Sequence, residues 1–402
     1  MAVTHGTRLR IVAVFSAAVA AATLGLTVSP AQAAPAEGRV IGAGAADAVK
    51  DSYIVILSES SGPKSASAAG RRLIARHGGE VTRTYRAAIN GYAAHLSETE
   101  AKRLAADPAV AQVIQDTTVS ADATQANPPS WGLDRVDQPA LPLNSSYTYP
   151  DTAGAGVNAY IIDTGVRITH ADFGGRASYG YDAIDNDFVA DDGNGHGTHV
   201  AGTVAGSSYG VAKKAKIVGV RVLNNAGSGT TAQVVAGVDW VTANAVKPAV
   251  ANMSLGGGAN TAIDTAVRNS IASGVTYAVA AGNNGANASG YSPARVGEAI
   301  TVGATTNTDA RASYSNYGSI LDLFAPGSSI TSAWRTSDTA TSTISGTSMA
   351  SPHVAGAAAV YLASHTSSSP SQVSSALTSG ATSGAVIGAG TGSPNRLLRI
   401  IP

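Results

Sequence analysis

Five short apolar runs, at residues 157–162, 217–222, 249–253, 276–281 and 300–302, recur through the middle of this 402-residue chain. A strand with one wet face alternates apolar with polar residues, whereas these runs are apolar nearly throughout, the pattern of strands covered on both sides. Between them lie segments with helical spacing, at 197–204, 230–244 and 261–273, and another at 350–364 follows the last. Buried strands alternating with helices leave few solutions. They predict an α/β domain with a doubly wound, mainly parallel sheet, whose functional side chains stand beyond the carboxyl ends of its strands. Asp163, directly after the first run, occupies such a place.

Upstream the pattern changes. Residues 53–57 read as a strand, 65–77 as a helix, and 80–85 and 91–96 as two more strands. Ser97-Glu98-Thr99-Glu100 is a capping box that opens a helix through 106, and 109–116 closes as a strand. The order β-α-β-β-α-β predicts a small α+β domain of the ferredoxin-like, split βαβ kind. The polar stretch 117–125 that follows has the composition of a linker, and an exposed linker is open to cutting. At the start of the chain Arg8 and Arg10 precede an apolar stretch, 11–28, and then Ala31-Gln32-Ala33. That sequence of features predicts a secretory signal peptide. The expected organisation is therefore 1–33 signal, 34–122 small domain and 123–402 main domain.

Composition narrows the chemistry. With 26 basic and 26 acidic residues, nothing in the net charge favours nucleic acid or anionic lipid. There are no cysteines, which excludes thiol catalysis, cysteine zinc sites and disulfides, and leaves stability to the core and to any bound metal. From residue 123 onward there are fifteen Asp and one Glu, Glu298, a bias that suits turns, caps and hard cations such as Ca²⁺.

Gly346-Thr347-Ser348-Met349-Ala350 sets a serine among small residues at the head of an Ala-rich helical run. Backbone N–H groups at a helix start favour a developing negative charge. A serine hydroxyl is a weak nucleophile until a base takes its proton. Gly195-His196-Gly197-Thr198-His199 offers that base at His196, and Asp163-Thr164-Gly165 offers a carboxylate to orient it. His199 and His353 read as packing histidines, because no His-Glu-x-x-His occurs and no Glu stands near. Two other patterns fail on context. Gly206-Ser207-Ser208-Tyr209-Gly210 spells the Gly-x-Ser-x-Gly of lipase-like hydrolases but follows a helical segment instead of a strand. Gly154-Ala155-Gly156 resembles a dinucleotide fingerprint but precedes its strand.

The three segments, in the order Asp, His, Ser, resemble the subtilisin-like serine proteases, and the resemblance runs over residues 123–402. Trp131-Gly132-Leu133-Asp134-Arg135-Val136-Asp137-Gln138, the stretch from Val250 to Gly258, and Ser313-Tyr314-Ser315-Asn316-Tyr317-Gly318 are similar to the proteinase K and aqualysin branch. The resemblance implies a secreted endopeptidase. Ser348 would be the nucleophile, His196 the general base and then acid, and Asp163 the group that orients the imidazole. Asn283 and the Ser348 N–H would form the oxyanion hole. Gly227, Ser228 and Gly229 on one side and Ser254, Leu255 and Gly256 on the other would pair with an extended peptide. Ala280, Gly282 and Tyr291 would complete the substrate contacts, with Tyr291 near the floor of the first specificity pocket. No charge is evident there, so a broad preference for apolar or aromatic residues is expected.

The same resemblance implies no organic cofactor and structural Ca²⁺. One site would use Asp322 with the carbonyls of Gly297 and Ala299, and a second would use Asp134, Asp137 and Gln138. The acidic loop with Asp185, Asp187, Asp191 and Asp192 is a third candidate. Residues 34–122 resemble the inhibitor-type prodomain of these proteases, which assists folding and then leaves its tail in the cleft. Self-cleavage is expected near Asp122–Ala123. The implied partners are protein or peptide substrates and the chain's own prodomain, with no nucleic acid, no stable membrane association and a monomeric enzyme. Proteinase K and aqualysin carry disulfides, which this chain cannot form. A non-catalytic peptide-binding protein is the rival class. It predicts a missing triad or oxyanion residue, and none is missing.

Overall fold

The computed structural model describes residues 35–45, 48–117 and 122–400. The proposed signal peptide lies outside the described residues. Two compact units result: one joins the described residues up to Ile41 with Asp51–Ile114, the other joins Gly42–Lys50 with everything from Gln115 onward.

The first unit is a five-stranded sheet in the order Val40–Ile41, Val110–Thr117, Ala48–Leu57, Gly91–His95 and Glu80–Tyr85. Gly91–His95 pairs antiparallel with both neighbours. Helices Ala68–Arg76 and Glu98–Ala105 share one core with the sheet, where Leu73, Ile74 and Leu104 meet Tyr53, Val55 and Tyr92. The capping box forms as its sequence requires: Ser97 Oγ accepts from the Glu100 N–H, and Glu100 Oε2 accepts from the Ser97 N–H. The split βαβ order is present, with the short Val40–Ile41 strand added at one edge.

The second unit holds a nine-stranded sheet. Across it run Ala177–Asp182, Lys216–Arg221, Asn158–Asp163, Ala249–Met253, Thr276–Ala280, Ile300–Thr305, Leu323–Pro326, Arg396–Leu397 and Thr382–Ser383. All neighbours are parallel except the last pair. Successive residues of a strand face opposite sides. Thus Ala159 and Ile161 join a core with helices His196–Ala205 and Thr347–Ser364, while Tyr160 and Ile162 join another with helices Thr231–Asn244 and Thr261–Ala272. Burial on both faces explains the unbroken apolar runs. The sheet is doubly wound, as the pattern predicted.

Three differences matter for the site. The edge strand Ala177–Asp182 reads ASYGYD, too polar to stand out as a buried strand. The Ser348-bearing helix begins at Thr347 and not at 350, so Ser348 lies inside its first turn. Residues on either side of the proposed cut, Asp122 and Ala123, lie in the strand Asp122–Ala126, which pairs antiparallel with Ser146–Pro150.

Candidate active site

Asp163 is the last residue of its strand, and its carboxylate is fully buried. Its Oδ1 accepts hydrogen bonds from His196 Nδ1 and from the Thr164 N–H, both at 2.7 Å. His196 opens the helix that follows the acidic loop, and a quarter of its side chain remains exposed. Burial pulls the imidazole pKa down, but the charge and hydrogen bond of Asp163, with a further contribution from Asp192, outweigh it and hold the pKa above the ordinary histidine value.

Sequence reasoning gave Asp192 to the acidic loop as a cation candidate. In the structure its carboxylate is spent inside the protein. Oδ1 accepts from Thr164 Oγ1 and from the N–H groups of Asn194 and Gly195, and Oδ2 accepts from the N–H and hydroxyl of Thr198. Thr164 Oγ1 in turn accepts from the Gly197 N–H at 2.8 Å. Asp192 and Thr164 thereby tie the end of the Asp163 strand to the start of the His196 helix.

Ser348 is half-buried, and its hydroxyl donates to the Ser254 carbonyl at 3.2 Å. Asn283 is held by its acceptor end: Oδ1 takes the N–H of Thr347 at 2.8 Å and its hydroxyl at 2.9 Å. That leaves the Nδ2 donor turned toward the Gly346–Ser348 backbone, near the N–H groups of the helix start. The loop before Asn283 needs Gly282, whose φ is +99° and whose Cβ position would meet Asn316 Nδ2 at 2.5 Å. Asn316 braces this loop, accepting from the Asn284 and Ala286 N–H groups and donating to the Ala281 carbonyl. Thr347 and Asn316 were not singled out from sequence, although both lie inside motifs that were.

Two cavities meet here. One of about 550 Å³ is lined by His196, Gly227, Ser228, Gly229, Ser254, Leu255 and Gly256, among others. The other, about 380 Å³, is lined by Ser348, Asn283, Ala280, Gly282 and Tyr291 and shares Leu255 and Gly256 with the first. No ionisable group other than the Tyr291 phenol lines the second cavity. Every residue expected to touch substrate therefore borders one of two adjoining spaces. Ser208 lies elsewhere, exposed in the turn after the His196 helix, with its N–H on Asp172 Oδ1.

The candidate cation sites differ. Asp137 has one buried oxygen without a hydrogen-bond partner, and burial, opposed by the Thr148 N–H and reinforced by the charge of Asp134, pushes its pKa up to about 6. Asp134 accepts from the Asn144 and Ser145 N–H groups, and Gln138 donates to the Ala140 and Pro142 carbonyls. Burial likewise lifts Asp322 to about 6, against the pull of a hydrogen bond from the Thr301 N–H. Gly297 and Ala299 lie just before the Ile300–Thr305 strand, whose Thr301 donates that bond. Both carboxylates sit in settings that a cation would relieve. In the acidic loop Asp185 pairs with Arg221 and Asp192 is saturated, whereas Asp187 and Asp191 are exposed and their carboxylates accept one hydrogen bond each, from the Val189 N–H and the Tyr179 hydroxyl. Among the described residues no three His, Asp or Glu side chains gather closely enough to hold an ion, so carbonyl ligands are needed at either site.

Comparison with known proteins follows the same lines. Residues 154–397 match the model of the subtilase family, and residues 46–122 match that of peptidase inhibitor I9. The chain belongs to the subtilase family. It is a subtilisin-like serine protease with an I9-type domain ahead of it. An extracellular serine proteinase of Thermus sp. (strain Rt41A) is 52% identical over 92% of this chain and 94% of its own length. A cuticle-degrading serine protease of Arthrobotrys oligospora is 44% identical over 89% of this chain and 92% of its own. The solved structure of a cold adapted subtilisin-like serine proteinase is 56% identical, with a TM-score of 0.66, covering 68% of this subtilase and 98% of that chain.

Proposed function

We propose that this subtilase is a secreted endopeptidase of broad specificity, favouring cleavage after apolar or aromatic residues, and is made as a self-processing precursor. The observation that carries the reading is the 2.7 Å bond from a fully buried Asp163 to His196, which lines one cavity while Ser348 and Asn283 line the adjoining one. Ser348 leaves its bond to the Ser254 carbonyl, gives its proton to His196 Nε2 and attacks the scissile carbonyl carbon. Asn283 Nδ2 and the Ser348 N–H hold the resulting oxyanion. The imidazolium, stabilised by Asp163, returns the proton to the leaving amine as the C–N bond breaks. Water then repeats the sequence on the acyl-enzyme and frees Ser348.

The uncharged lining of the 380 Å³ cavity supports the apolar preference. Extended substrate would lie between the Gly227–Gly229 and Ser254–Gly256 segments, where glycines admit another backbone. Secretion is supported by the Arg-led apolar start of the sequence and by a relative that is itself named extracellular. The domains are taken as 1–33, 34–122 and 123–402, with the 34–122 region inhibiting and assisting the folding of the enzyme it precedes. Processing near Asp122–Ala123 requires the Asp122–Ala126 strand to leave its pairing with Ser146–Pro150 first. Ca²⁺, when bound, would supply structural cross-linking only, with Asp322, Gly297 and Ala299 holding one ion and Asp134, Asp137 and Gln138 another.

Expression of the Ser348→Ala precursor tests the assignment. It should remain uncut and fail to digest casein, while Ser208→Ala keeps both properties. Normal processing of the Ser348 variant would end the proposal, and N-terminal sequencing of the wild-type product locates the cut.

A further inference from the structure

The helix that carries Ser348 contains Pro352 in its second turn. Proline has no N–H, so the carbonyl four residues back, that of Ser348 itself, lacks its helical donor. A carbonyl in that position needs another partner. One comes from a different element: the Ser254 hydroxyl donates to the Ser348 carbonyl at 2.7 Å. Ser254 Oγ accepts from Asn252 Nδ2 at 2.9 Å, and Asn252 Oδ1 accepts from the Ser351 hydroxyl at 2.7 Å. All three side chains are buried.

The direction of every bond follows from the proline. The Ser348 carbonyl can only accept, so Ser254 must donate to it. Ser254 then offers a lone pair, which takes the amide N–H of Asn252. The carbonyl end of that amide is left facing Ser351, whose hydroxyl must donate. One missing N–H thus orders a chain that joins the strand Ala249–Met253 to the helix start. The Ser348 hydroxyl closes the loop in the other direction through its bond to the Ser254 main-chain carbonyl.

We propose that Asn252 and Ser351, acting through Ser254, are positioning residues that fix the helix turn on which Ser348 stands. This rests on Ser348 being the nucleophile. Neither Asn252 nor Ser351 borders the two cavities. Their effect passes through the Ser348 carbonyl, which shares its residue with both the attacking oxygen and one oxyanion donor.

The test uses the full chain carrying Asn252→Leu, with Ser351→Ala and Ser351→Thr beside it. The measurements are kcat and KM on a peptide anilide, melting temperature, and the rate of sulfonylation by phenylmethanesulfonyl fluoride. That reagent forms an Oγ–S bond and expels fluoride while the hydroxyl proton passes to the base. Misplacing a reacting group by about 1 Å can cost on the order of 10²-fold, so kcat should fall by about 10–100-fold with KM within about twofold. Sulfonylation should slow by the same factor, and Ser351→Thr, which keeps the hydroxyl, should retain the wild-type rate. Pro352→Ala gives a second route that leaves the chain's side chains in place. Its restored N–H competes for the Ser348 carbonyl, so kcat should fall without a drop in melting temperature. Unchanged kcat in a folded Asn252→Leu variant overturns the proposal, as does a change in KM alone. Should that variant not fold, unchanged kcat in Pro352→Ala does the same. Failure of the underlying nucleophile assignment looks different, because the sulfonyl group on the wild-type enzyme would then map to a residue other than Ser348.

Discussion

The two walls of the catalytic cleft are built from opposite chemistry. On the histidine side there are two buried carboxylates: Asp163 bonds the imidazole, and Asp192 organises the helix start and adds its charge. On the serine side the work falls to neutral groups: Asn283, Thr347, Asn252, Ser254 and Ser351. The difference follows the charge that develops during reaction. Positive charge grows on His196, where fixed negative charge is favourable. Negative charge grows on the oxyanion beside Ser348, where a buried carboxylate would oppose it and neutral donors do not. The segregation matters because Asp163, Asp192, Asn252, Ser254 and Ser351 are all buried, where a charge on the wrong side would be weakly screened.

Removing the carboxylate from the histidine side is the most severe way to break this division. Asp163→Asn keeps the shape but presents the wrong tautomer of His196, and kcat should fall by about 10⁴-fold, as the same change does in another Ser-His-Asp protease. Burst kinetics with an activated ester would check it, since acylation and not only deacylation should slow. A loss of less than tenfold would mean that Asp163 does not orient the base. On the serine side the corresponding change is Asn283→Leu. Loss of one oxyanion donor is expected to lower kcat by about 10²–10³-fold, a magnitude known for a subtilisin and carried over to this relative. KM should hardly move. Because Asn283 Oδ1 also holds Thr347, a fall in melting temperature with kcat intact would recast it as a structural residue.

Each wall also contains a buried neutral histidine, and these compare directly. Burial pushes the pKa of both His199 and His353 down to about 4, against the hydrogen bonds to the Ile330 and Met349 carbonyls, which pull upward. His353 Nε2 has no hydrogen-bond partner. The unfolded chain holds protons on both up to about pH 6.5, so between pH 6.5 and 4 the unfolded state binds more protons than the folded one. Stability from neutral burial is therefore complete above pH 6.5 and is lost progressively as pH falls toward 4. The loss amounts to roughly 3 kcal/mol for each histidine. Urea unfolding of the inactive Ser348→Ala chain at pH 7, 5.5 and 4 measures the slope. His353→Leu in that background should lose about half as much stability over the interval, and an unchanged slope would remove His353 from the account.

How much of this was legible in the sequence depends on distance along the chain. The Asn158–Asp163 strand and the triad segments were readable because their neighbours dictate their conformation: an unbroken apolar run ends at Asp163, and glycines flank His196. Ala177–Asp182 was not readable, because an edge strand keeps a polar face and loses the signature of double burial. The helix start at Thr347 lies earlier than expected because Thr and Ser are weak helix formers, and only the structure shows the Thr347 N–H and hydroxyl committed to Asn283 and the Ser348 hydroxyl to Ser254. Asn252 and Ser351 are joined across 99 positions, a link that no local pattern records. Asp192 was visible but misread. An aspartate in an acidic run looks like a cation ligand until its five hydrogen bonds are seen.

Asp192 gives the subtlest probe of the two-wall division, because it touches His196 only through the backbone it holds and the charge it carries. Asp192→Asn retains one acceptor oxygen in place of two and removes a buried negative charge. That charge is among the influences that raise the His196 pKa, after burial, which lowers it, and Asp163, which raises it most. With the charge gone, His196 should deprotonate at lower pH, so the acidic limb of kcat/KM should move to lower pH. The plateau should drop by about tenfold through loosened positioning of the helix start. A merely structural role predicts the lower plateau with the limb unmoved. A limb displaced to higher pH would contradict the electrostatic division altogether, since it would require the Asp192 carboxylate to disfavour an imidazolium that its charge favours.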